Sequence, residues 1–179
     1  MSFSKTFMPA LRLGAIVADA DCLAQLVMAK RNQDLTSSLV LQRALATYLR
    51  RGHLGVHLQR ARSLYSERRD AMLTALERHV QDCMWTRPAG GLSLWLTMPA
   101  GVDESEVYHE LLRRGVGVSR GQAFYPQPQA TGHLRLSFGA QPADLIEQGI
   151  GIIATVITEQ LKQRALIATR AQREMSPLV

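Results

Sequence analysis

Two hydroxyls, a primary amine and a guanidinium stand within the first dozen residues: Ser2, Ser4, Lys5 and Arg12, in MSFSKTFMPALRLG. Hydroxyls donate single hydrogen bonds and a guanidinium presents a planar fork of charged donors, which together suit a phosphate dianion. A lysine beside a bound phosphate can form a Schiff base with the aldehyde of pyridoxal phosphate. A lone lysine is ordinarily a solvated surface charge. Lys5 is singled out by its company: flanking serines, an arginine seven positions on, and an apolar stretch, LGAIVA, that follows at once. A second cation, Arg135, alternates with Leu134, Leu136 and Phe138 in HLRLSF, so it points either into a cleft or at solvent.

Other chemistry-bearing residues fall away. Gly115, Gly117 and Gly121 lack the spacing of a dinucleotide fingerprint and follow a helical pattern instead of opening one. The histidines, 53, 57, 79, 109 and 133, repeat no ligand pattern, and no metal is expected. Cys22 and Cys83 belong to no CxxC, which argues against a disulfide framework and for a reducing cytoplasm. The arginine pairs 50–51 and 68–69 lack interleaved aromatics, and acidic residues are spread among the basic ones; the net charge of +6 therefore reads as a solvated helical face. Trp85 and Trp95 read as core or rim aromatics. No apolar run is long enough to span a bilayer.

The elements that position these groups follow from periodicity. The chain has 179 residues, 46% hydrophobic and 20% charged, an ordinary globular balance. RLGAIVA at 12–18 predicts a short buried strand, and Asp21 is a candidate cap for the helix after it. Leu41, Leu45 and Leu49 predict a helix over 37–51 that ends at Gly52, and a long helix is expected over 56–79. The grammar then changes. Pro88-Ala89-Gly90-Gly91 turns into a strand with Leu92, Leu94 and Leu96 on one face and Ser93, Trp95 and Thr97 on the other. Asp103 and Glu106 resemble a capping box opening a helix that ends at Gly115. A short strand, VGVS, a Pro-rich loop over 125–132, the HLRLSF strand and a helix after Pro142 with Ile146, Ile150, Ile153 and Ile157 inward complete the order β-β-α-β-β-α.

Ser2-Phe3-Ser4-Lys5-Thr6, Pro9 and Leu11-Arg12-Leu13-Gly14, followed in order by Gly52, HLQRARSLYSERRDAML, PAGGLSLWL, GVGVSRGQAFY and HLRLSFG, resemble the class I/II aminotransferases of fold type I. The best likeness is to the aminotransferase-like domain of MocR transcriptional regulators, which carry a GntR-type winged helix at their N-terminus. The resemblance implies an α/β fold, the C-terminal part of a pyridoxal-phosphate-dependent transferase. It divides the chain into a remnant of the large domain at 1–55, a connecting helix and small α+β domain at 56–165, and a polar tail at 166–179. It makes Lys5 the catalytic, cofactor-bearing lysine, puts Ser2, Ser4 and Arg12 on the cofactor phosphate, and gives Arg135 the substrate carboxylate. The implied partners are an amino acid or amine, a second copy in a homodimer, and DNA only through a domain outside this sequence; no membrane is implied. The family's aspartate on the pyridine nitrogen, its ring-stacking aromatic and its groups on the ring oxygen precede the lysine segment. This stretch alone is therefore expected to turn over little or nothing. Two parents remain open, an amino acid aminotransferase and a regulator sensing pyridoxal phosphate or an amine; residues 52–73 favour the regulator.

Overall fold

The computed structural model describes residues 1–34, 36–127 and 132–175, with side chains to residue 167 and at Thr169. Parts of two sequence expectations, the Pro-rich loop at 128–131 and the tail at 176–179, lie outside the described residues. The chain divides into two compact units, Met1–Ser63 and Leu64–Val179.

The first unit holds α1 (Phe3–Thr6), a 3-10 turn (Pro9–Leu11), α2 (Ala20–Gln33), α3 (Leu39–Arg50) and the first turns of α4 (His53–His79). Its core is small: Phe3, Leu11 and Leu45, with Phe7, Leu13 and Leu49 packed against them. The buried strand expected at 12–18 does not form. Gly14 makes a single bridge to Ser2, while Ile16 and Val17 are exposed. Apolar character suits a buried strand only where a neighbouring strand takes its N–H and C=O groups; Ala15 still pairs with Met1, but among the described residues no strand pairs with 16–18. Asp19, not Asp21, caps α2: its carboxylate accepts the Cys22 N–H at 2.9 Å. Ser38 caps α3, Leu45 is its buried residue, and the chain leaves it through Gly52 at φ +73°.

The second unit is built on a four-stranded antiparallel sheet in the order β1-β2-β4-β3, from β1 (Met84–Trp85), β2 (Ser93–Thr97), β3 (Ser119–Arg120) and β4 (His133–Ser137). The central pair runs Ser93 opposite Ser137, Trp95 opposite Arg135 and Thr97 opposite His133. Alternation then sends Leu94, Leu96, Leu134 and Leu136 to the core, where they meet Met72, Ala75 and Leu76 of α4, Val107 and Leu111 of α5 (Glu104–Arg113) and the isoleucines of α6 (Ala143–Met175). Ile146, Ile150, Ile153 and Ile157 are all buried, as their spacing predicts.

Helix α5 is tied at both ends. The Asp103 carboxylate accepts the N–H groups of Ser105 and Glu106 at 2.8 and 3.0 Å. The return half of the expected capping box is made by another residue. Buried Gln160 of α6 accepts the Asp103 N–H at 2.9 Å and donates to the Glu106 carboxylate at 2.7 Å. At the other end Gly115 adopts φ +79°, which lets the Val116 N–H reach back to the Leu111 carbonyl at 2.8 Å. Arg114 bridges Glu110 and Glu159, and these hydrogen bonds to carboxylates hold its pKa above the usual guanidinium range.

Candidate functional site

The Lys5 segment is a loop closed on itself. Besides the Ser2–Gly14 bridge, the Phe3 N–H donates to the Leu13 carbonyl at 3.0 Å and the Ala15 N–H to the Met1 carbonyl at 2.9 Å. The approach leaves no room for a side chain: a Cβ on Gly14 would stand 2.9 Å from the Met1 carbonyl oxygen. Four apolar side chains of the loop turn inward: Phe3 and Leu11 are buried with Leu45, Leu13 packs against them, and the Phe7 ring stands edge-on to Tyr48 at 4.8 Å and tilted to His57 at 5.3 Å. Ser2, Lys5 and Arg12 are exposed and Ser4 is half-buried; Met1, Thr6, Met8, Pro9 and Ala10 of the same loop are exposed as well.

Two local features mark this loop. The Ser2 hydroxyl oxygen accepts the Ser4 N–H at 3.3 Å as the cap of α1, which leaves its proton free to donate. Arg12 takes φ +49°, the left-handed region that arginine rarely visits, at the point where the 3-10 turn reverses into the closing bridge. That conformation costs on the order of 1–2 kcal/mol for a residue with a Cβ, and such outliers cluster at binding loops. Among the described residues neither the Lys5 amine nor the Arg12 guanidinium has a carboxylate partner, and residues 1–14 contain no Asp or Glu. The donor set is therefore two hydroxyls, an amine and a guanidinium with nothing acidic among them, which fits a phosphate ester bearing an aldehyde. An open hollow of about 770 Å³ lies beside Arg12, between the loop, α2 and α3; Ser2, Ser4 and Lys5 do not line it, so the structure does not bring the four predicted residues into one pocket.

Arg135 belongs to the second unit, on the sheet face opposite the core. Its Nε donates to Ser93 Oγ at 3.0 Å, and its guanidinium lies over the Phe124 ring at 5.4 Å. Trp95 stands edge-on to Phe124 at 5.4 Å, and Tyr125 stacks on His133 at 6.4 Å. With Nε engaged by Ser93, the two terminal nitrogens of Arg135 are the fork a carboxylate would meet. Ser93, Phe124 and Trp95 were not assigned to the site by sequence. Alternation placed Ser93, Trp95 and Arg135 on polar strand faces, but only the register of β2 against β4 makes those faces one.

Among the described residues no three His, Cys, Asp or Glu side chains gather as a metal set, and no helix is long and apolar enough to cross a membrane.

The sequence profile of the family described as Aminotransferase class I and II matches residues 1–153, so the chain belongs to that family. It is 34% identical over 163 residues to aromatic-amino-acid aminotransferase 1 of Thermococcus litoralis, covering 90% of this chain and 39% of that protein. It is equally 34% identical, over 150 residues, to the uncharacterized HTH-type transcriptional regulator YisV of Bacillus subtilis, covering 83% of this chain and 31% of the regulator. The fold matches LysN, the alpha-aminoadipate aminotransferase of Thermus thermophilus solved with N-(5'-phosphopyridoxyl)-L-leucine, with a TM-score of 0.84 and 31% identity over 90% of this chain and 42% of that one. The α/β architecture is thus part of a fold-type-I pyridoxal-phosphate-dependent transferase. The chain spans about two fifths of the length of the T. litoralis enzyme.

Proposed function

We propose that this chain is the lysine-bearing portion of a pyridoxal-phosphate-binding, aminotransferase-like domain in a MocR-type regulator that senses the cofactor or an amine. The observation that carries the cofactor reading is the closed loop of donors without acids: Lys5 with Ser2, Ser4 and Arg12. The regulator reading draws on the likeness to YisV, as high as that to the enzyme. A second reading, part of a free amino acid aminotransferase, is favoured by the longer aligned stretch of the T. litoralis enzyme. Coding sequence upstream of Met1 separates the two: a winged helix there marks the regulator.

When bound, the cofactor supplies an aldehyde that condenses with amines and a ring that draws electrons from the adjacent carbon. Lys5 presents the amine to that aldehyde. The serine hydroxyls and Arg12 bind the phosphate, Arg12 as a bidentate donor whose left-handed backbone fixes its approach. Arg135 takes the carboxylate of an amino acid, its guanidinium plane set by Ser93 and Phe124. Residues that would hold the ring nitrogen and ring oxygen lie outside this chain, so the chain alone carries out no transamination. The complete protein works in the cytoplasm as a homodimer, a reading that agrees with two free cysteines.

The test is covalent. Pyridoxal phosphate is added, the adduct is reduced with borohydride, and the label is mapped by peptide mass spectrometry. The label belongs on Lys5 among the three lysines of the sequence, of which Lys30 is paired with Asp34 at 2.6 Å. Lys5→Ala removes it together with the visible absorbance band. Equal labelling of Lys30 or Lys162, or a band that survives in Lys5→Ala, refutes the proposal.

A further inference from the structure

Glu104 is the one carboxylate among the described residues that is buried, 7% exposed, in the first turn of α5. An acid there is favoured by the helix dipole, yet a dipole asks neither for burial nor for contacts away from the helix. Glu104 makes both. Its Oε1 accepts the Gln122 N–H at 3.0 Å and its Oε2 the His133 N–H at 3.2 Å. Gln122 sits in the 3-10 turn Gly121–Phe124, which carries the ring beneath the Arg135 guanidinium. His133 opens β4, two positions before Arg135 itself. One side chain thus fastens the turn that bears Phe124 and the strand that bears Arg135.

We infer that Glu104 is a positioning residue for Arg135: it holds Phe124 and β4 at a fixed offset, so that the guanidinium stays over the ring while its Nε is engaged by Ser93. The physical reason is the cost of the alternative. A buried carboxylate is tolerated only while its lone pairs are filled by donors in good geometry, so the two N–H groups cannot drift from it singly. Backbone N–H groups bonded to a charged acceptor are also held more tightly than by a neutral one. The inference rests on the reading of Arg135 as the carboxylate-binding group, and the experiment separates the two.

The reporter is the Arg135 Nε–H resonance in the full chain, assigned by its loss in Arg135→Lys. In the ligand-free protein it carries the ring-current shift of Phe124, and Phe124→Leu shows where it lies without the ring. Glu104→Gln places an amide NH2 against one of the two backbone donors, so the resonance moves toward its Phe124→Leu position. Glu104→Asp, which keeps the charge but shortens the reach, moves it part of the way. Val107→Ala, a core change on the same helix, lowers the melting temperature without moving it. Titration with pyruvate then reads carboxylate binding, which weakens about tenfold in Glu104→Gln, the scale of one charge-assisted hydrogen bond. A Glu104→Gln resonance coincident with wild type overturns the inference, as does an equal displacement in Val107→Ala. Should neither Glu104 variant fold, Gln122→Pro, which removes the N–H that Oε1 accepts, takes their place: a resonance moved toward the Phe124→Leu position supports the inference, and one coincident with wild type overturns it. If pyruvate leaves Arg135 unmoved in wild type, the carboxylate reading fails, while the ligand-free comparison still decides the role of Glu104.

Discussion

Replacing Gln160 with leucine tests how far one side chain holds α5 on α6. Leucine matches glutamine closely in volume, so the change strips hydrogen bonds and leaves little cavity. Gln160 is 8% exposed and makes two short contacts, accepting the Asp103 N–H at 2.9 Å and donating to Glu106 at 2.7 Å. Stranding the half-buried Asp103 N–H costs about 2 kcal/mol, and the contact to the exposed Glu106 adds about 1 kcal/mol because water replaces it in part. For a unit of this size, each kcal/mol moves the midpoint by about 4 °C, so Gln160→Leu is expected to melt about 12 °C lower. Thermal unfolding by circular dichroism, or calorimetry, reads this directly. Gln160→Glu supplies the sign: it retains an acceptor for Asp103 but sets a second carboxylate beside Glu106, so its deficit shrinks as pH falls and one acid protonates. A Gln160→Leu midpoint within about 2 °C of wild type would show that Gln160 contributes little to holding α5 on α6.

Phe138, 1% exposed, contributes through packing, and Phe138→Ala is expected to cost about 4 kcal/mol in denaturant unfolding. Gly14→Ala drives a Cβ into the Met1 carbonyl, so it should open the loop and reduce borohydride labelling of Lys5 while the melting of the sheet unit stays unchanged. Arg12→Gly removes the guanidinium but relaxes a left-handed backbone. It should melt at or above wild type while pyridoxal phosphate binds more weakly in an absorbance titration. Cys83 has its pKa pushed up to about 11, by burial first and by the charge of Asp82 second, whereas Cys22 is exposed. Iodoacetamide near neutral pH should therefore alkylate Cys22 and spare Cys83. Because the folded thiol keeps its proton to higher pH than the unfolded one, the Cys83 contribution to stability is intact below about pH 9 and is lost toward pH 11; Cys83→Ser should flatten that alkaline decline.

What was legible in the sequence was whatever a local pattern decides. The isoleucine spacing of α6, the alternation of β2 and β4, and the acid before α5 each state their own structure, because helix and strand periods differ and a cap acts within one turn. RLGAIVA misled because its apolar content is compatible with a strand only in the presence of partners. Asp19 displaced Asp21 as a cap by a two-residue margin that propensity does not resolve. Arg135 was visible as a lone polar residue among leucines, but Ser93 and Phe124 were not attached to it. One depends on strand register and the other on a turn eleven residues upstream. Glu104 was hidden for the same reason: nothing in a helix's first turn announces that its acid will reach the backbone of two other elements.

The Ser2–Gly14 bridge also bears on the order of events during synthesis. Closing a ring of about ten residues takes on the order of 10–100 ns and little chain entropy, whereas β2 finds β4 across some forty residues. Lys5 and Arg12 therefore reach their shared loop while the sheet is still emerging from the ribosome, before the strand that bears Arg135 has been made.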